Sequence, residues 1–102
     1  MGMMGKLKEA REKVAATKKR LDSITLKEAG PEDLVEVTLT ANREIREVRI
    51  DDRLLKDREQ LEDYLVITLN KALKKAGEIH DAELAAAARE GMPDLPGLDA
   101  LL

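Results

Sequence analysis

The chain has 102 residues, a net charge of −3, no Cys, Trp or Phe and a single Tyr, Tyr64. This length holds one domain, and the absence of cysteine excludes disulfides and thiolate metal sites. The core must come from Leu, Ile, Val and Ala, and a core so short of large anchors is most easily completed by burying a second copy of the chain.

No stretch approaches the roughly 20 apolar residues of a membrane span. Met1-Gly2-Met3-Met4-Gly5-Lys6 leads into alternating charges and not into an apolar signal core, so the cytoplasm is the expected compartment. Charge is unevenly distributed. Residues 1–23 carry seven basic against three acidic side chains, residues 24–56 six against eight, and residues 57–90 five against eight. The basic character therefore sits at the N-terminal end.

Leu7, Ala10, Val14, Thr17, Leu21 and Ile24 recur at spacings of three and four, which predicts a helix over about 6–22 with a thin apolar seam packed lengthwise on a partner helix. From Ile24 the period becomes two, giving an edge strand over about 24–29 before the turn at Gly30-Pro31-Glu32-Asp33. Val35, Val37, Leu39 and Ala41 share one face of a strand over about 34–41, and Glu36, Thr38 and Thr40 share the other. Asn42, which tolerates positive φ, allows Ala41-Asn42-Arg43-Glu44 to reverse the chain without glycine. The return strand, about 45–50, places Val48 and Ile50 inward.

Asp57 can cap the next helix, with Gln60 reaching back to complete a capping box. This second helix runs over about 58–90, where Leu61, Leu65, Leu69, Ala72, Leu73, Ala76 and Ile79 keep helical spacing. Gly91, Pro93 and Pro96 end it and leave a tail at 91–102. The fold class is thus α+β: helix, three-stranded antiparallel meander, long helix, in one domain spanning 1–102.

The order of these features resembles the YbaB/EbfC family of bacterial nucleoid-associated proteins. The likeness rests on the charged first helix, Leu34-Val35-Glu36-Val37-Thr38-Leu39, Val48-Arg49-Ile50-Asp51, Leu54-Leu55, and Asp57-Arg58-Glu59-Gln60-Leu61-Glu62-Asp63-Tyr64. Asn70-Lys71-Ala72, Gly91-Met92 and Pro96-Gly97 extend it, so that it covers residues 5–97. Two departures are a turn at Asn42 without the glycine often found there and a first helix without the family's Met and Gln richness. The resemblance implies a tweezer-like homodimer with projecting helices. It also implies a non-enzymatic protein that binds double-stranded DNA with little sequence preference, organises the nucleoid and takes part in gene regulation. The alternative function is a dimeric protein–protein interaction module.

Lys and Arg bind DNA by neutralising phosphates and releasing counterions. The candidates are Lys6, Lys8, Arg11, Lys18, Lys19 and Arg20 on the first helix; Lys71, Lys74, Lys75 and Arg89 are weaker, because Glu78, Asp81, Glu83 and Glu90 stand among them. Val35, Val37, Leu39, Val48, Ile50, Leu61, Leu65 and Leu69 are the expected core and dimer residues.

Catalytic chemistry finds no foothold. Asp51-Asp52 are adjacent at a strand end and read as a structural turn, His80 is a lone imidazole beside Asp81, and the six glycines form no phosphate-binding loop. No cofactor, metal or small-molecule substrate is implied. The near absence of aromatic residues also argues against modules that stack single-stranded bases.

Overall fold

The computed structural model describes residues 2–90; the tail expected at 91–102 lies outside the described residues. Helix α1 (Gly2–Leu21) leads into strand β1 (Thr25–Ala29), a 3₁₀ turn (Pro31–Asp33), β2 (Val35–Thr40), β3 (Ile45–Ile50), a second 3₁₀ turn (Asp52–Lys56) and α2 (Arg58–Glu90). The strands form one antiparallel sheet in the order β1-β2-β3.

Register places Leu26 opposite Leu39, Glu28 opposite Val37, Val37 opposite Val48 and Val35 opposite Ile50, so these residues share the face on which α2 lies. Leu34, Val35, Val37, Leu39 and Leu54 are buried there with Ala72 and Ala76 of α2. Leu61, Leu65 and Leu69 pack half-buried against this cluster. The small residues of α2 let helix and sheet approach closely. At Gly30 a side chain would collide with Thr68 Oγ1, which itself donates to the Tyr64 carbonyl at 2.6 Å. Gly30 lies in ordinary extended backbone (φ −89°), so its missing side chain serves proximity and not conformation.

Three local expectations are corrected. Val48 has the inward register but remains 40% exposed, because α2 packs on β2 and β1 and leaves β3 uncovered. Positive φ in the β2–β3 turn falls on Arg43 (65°) and not on Asn42, whose side chain is used for tertiary hydrogen bonds. Asp57 does cap α2, accepting from the Gln60 amide at 3.1 Å, but the Gln60 side chain donates forward to the Tyr64 hydroxyl at 3.0 Å and closes no capping box. The Gly30–Asp33 segment is a 3₁₀ turn with Glu32 and Asp33 at positive φ.

At about 1.5 Å per residue, 33 residues make α2 roughly 50 Å long, and only its first half covers the sheet. The second half pairs antiparallel with α1, and the molecule extends 65 Å along its longest axis. The result is a sheet-and-helix head from which a two-helix arm projects.

Candidate nucleic-acid interface

The arm is held by the seam that the spacing predicts. Ala10, Thr17 and Leu21 are buried, Val14 is half-buried, and Ala87 of α2 is buried opposite them. Such small side chains give little apolar burial, and two ion pairs reinforce one flank. Arg20 Nη2 lies 2.8 Å from Glu83 Oε2, and Lys13 Nζ lies 3.8 Å from Glu90 Oε2.

This pairing divides the basic residues of α1. At about 100° per residue, Lys13 and Arg20 fall on the flank facing the acids of α2, whereas Lys8, Arg11, Lys18 and Lys19 fall on the other. Those four are exposed and make no ion pair among the described residues; Lys6, also exposed and in no ion pair among them, lies seven residues before Lys13 and so falls on the Lys13–Arg20 flank. Arg20 is thus set apart from the other first-helix candidates. The sequence shows the apolar seam but not which acids border it, since that depends on the register of two helices far apart in the chain. The last turn of α1 is fully closed: Asn42 Nδ2 donates to the Lys18 carbonyl at 3.0 Å, and the carbonyls of Lys19, Arg20 and Leu21 accept from Asp22, Ser23 and Ile24.

The second-helix candidates divide differently. Lys71 Nζ and Lys75 Nζ lie 3.5 and 3.2 Å from Glu28, whose side chain is only 10% exposed. Lys71 also donates to the Ala29 carbonyl at 3.4 Å. A carboxylate on the core face of a sheet requires such partners, because an unpaired buried charge is costly. Lys74 is exposed on the side of α2 away from the sheet, and Arg89 is exposed near the arm's end. The signal for this cluster is present in the sequence: Glu28 shares the parity of Leu26, and Lys71 and Lys75 are one helical turn apart.

The far end of the sheet has the opposite character. A concavity there is lined by Asp33, Leu34, Glu36, Arg49, Ile50, Asp51 and Asp52, and its carboxylates would repel phosphate. Asp51 caps the second 3₁₀ turn, accepting from the Arg53 amide at 2.9 Å and from Arg53 Nε at 3.0 Å. The Arg53 side-chain hydrogen bond holds its carboxyl below the ordinary carboxylate range. Among the described residues no group of three or more His, Asp or Glu is placed to hold a metal ion, and no helix is long and apolar enough to cross a membrane. His80 Nδ1 lies 3.0 Å from Asp81 Oδ1 at the junction of head and arm.

Fold and site together define a small α+β protein with an acidic head and a cationic helical arm. Residues 1–92 match the YbaB/EbfC DNA-binding family. The chain is 54% identical over 101 residues to a nucleoid-associated protein of Flavobacterium johnsoniae, covering 99% of this chain and 95% of that one. It is 34% identical over 99 residues to one of Agrobacterium fabrum, covering 96% and 92%. The crystal structure of an uncharacterized Helicobacter pylori protein superposes with a TM-score of 0.67 at 22% identity, covering 74% of this chain and 90% of that one, which shows the shared fold. The chain belongs to the YbaB/EbfC DNA-binding family, a non-enzymatic family of nucleoid-associated proteins.

Proposed function

We propose that the protein binds double-stranded DNA as a homodimer with little sequence preference, through the Lys8–Arg11–Lys18–Lys19 flank of α1. The observation that carries this reading is the sorting of charge on the arm: one flank of α1 is paired with Glu83 and Glu90, and the other presents Lys8, Arg11, Lys18 and Lys19, which make no ion pair among the described residues even though Glu12 stands among them. A net charge of −3 does not oppose it, because at physiological salt exposed charges more than about 8 Å from a phosphate are largely screened. Such contacts position a duplex without reading its bases.

Dimerisation is supported by the uncovered sheet face. Ile45 and Val48 of β3 are 41% and 40% exposed, and Ile50 is half-buried. Val66 of α2, 59% exposed, lies on the helix flank opposite Lys71 and Lys75, which reach towards Glu28 of β1. A second copy seated here would bury these side chains and place an arm on each side.

The test is binding to unrelated duplexes across a salt series. Four cations per arm, eight per dimer, set an upper slope of log K against log salt of about −7. Lys18→Ala with Lys19→Ala should weaken binding to all duplexes alike and flatten the slope by about 3 to 4, since four charges leave the dimer. An unchanged slope would assign contact to another face. No shift at low salt, with capture of one stoichiometric protein partner, would select the interaction-module reading.

A further inference from the structure

The β2–β3 turn touches both helices of the arm at the point where the arm leaves the head. On one side Asn42 Nδ2 donates to the Lys18 carbonyl at 3.0 Å and to Asp22 Oδ1 at 2.6 Å, gripping the end of α1. On the other side the Arg43 guanidinium lies against α2 at Gly77, where an added Cβ would come within 2.7 Å of Nη2 and 3.2 Å of Nε. Arg43 also pairs with Asp81 at 3.9 Å, one turn further on.

Two features of this contact carry a standing cost. Glycine inside a helix is about 1 kcal/mol less favourable than alanine, yet Gly77 is buried in the middle of α2 with the arginine in the space its side chain would fill. Arg43 itself sits at φ 65°, a region that residues with a Cβ seldom adopt. The turn is braced from within: Thr40 Oγ1 accepts from the Asn42 and Glu44 amides at 3.2 and 3.3 Å.

We infer that this turn is a two-sided clamp fixing the direction in which the arm leaves the sheet, and that Asn42, Arg43 and Gly77 are positioning residues for the cations of α1. The structural half stands on the contacts alone; the consequence for binding rests on the proposed DNA function. An arm held at one angle meets the duplex already ordered, whereas a freed arm must lose its motion on binding. Loss of the clamp therefore weakens binding without changing how many phosphates are neutralised.

The absence of native cysteine allows spin labels at Glu12→Cys and Glu47→Cys, on the exposed surfaces of α1 and β3. Labelled chains diluted into unlabelled protein report the distance within one chain by pulsed electron resonance. The clamped protein should give one narrow distribution, and Asn42→Ala with Arg43→Ala a broader or displaced one at unchanged helix content. Gly77→Ala provides a second test that keeps every backbone bond and favours the helix, displacing only the guanidinium. An unchanged distribution in the folded double variant, or in Gly77→Ala should the double variant not fold, would overturn the clamp.

On DNA, the clamp variants should bind about threefold to tenfold more weakly with the salt slope unchanged. A freed arm with full affinity would overturn the positioning role. No binding in any background would instead refute the DNA reading, while the distance distribution would still decide separately whether the clamp exists.

Discussion

The Glu28–Lys71–Lys75 cluster is the case in which a residue's chemistry and its charge label diverge. Glu28 lies opposite Val37 on the core face and is nearly covered, and its carboxylate is paired with the two lysines that lean over it from α2. Their own side chains are 58% and 60% exposed, so water screens part of the attraction. Lys71→Ala with Lys75→Ala should cost about 1–3 kcal/mol of stability, between the values for exposed and buried pairs, measured by urea unfolding. The same variant should leave the salt slope of DNA binding nearly unchanged. Glu28→Leu in that background should recover much of the loss, since an apolar replacement no longer needs the lysines. A large fall in the slope with intact stability would make these lysines phosphate contacts.

At the scale of elements, the alternation of Val35, Val37 and Leu39 and the three-and-four spacing of α1 are legible because periodicity records which face is buried. The partner of each face is not. Leu7-Ala10-Val14-Thr17-Leu21 announces a helical partner, but only the antiparallel register sets Glu83 beside Arg20 and Glu90 beside Lys13. The turn chemistry is likewise invisible in the chain: Asn42 suggests backbone tolerance, while the fold uses its side chain and assigns positive φ to Arg43. The division of α1 into two flanks makes a prediction opposite to the usual effect of removing a salt bridge. Glu83→Gln frees Arg20 at a cost below about 1 kcal/mol, because both side chains are substantially exposed. The arm should stay folded, and DNA binding at low salt should strengthen about twofold to fivefold, with the slope steeper by up to about 2 as one cation per chain becomes available. Weaker binding with a melted arm would show that the pair holds the helices together.

For the whole molecule, the question is where a chain with one tyrosine and no larger aromatic completes its core. Composition points to a second copy but not to the surface, because Val48 and Ile50 read as core on register alone. Their exposure follows from the position of α2, which spans β2 and β1 and ends its coverage short of β3. A charge at Val48 tests this surface without touching the buried cluster beneath α2. Val48→Asp should yield a folded monomer by sedimentation at micromolar concentration, since the residue is already 40% exposed in the single chain. The monomer keeps one arm and its cations, so it should still bind DNA, but the salt slope should halve and the affinity should fall about a hundredfold or more as the second arm's effective concentration is lost. A dimer that persists in Val48→Asp would move the interface away from β3. A monomer that binds as tightly as the dimer would show that one arm suffices, and that pairing serves to bring two duplex segments together.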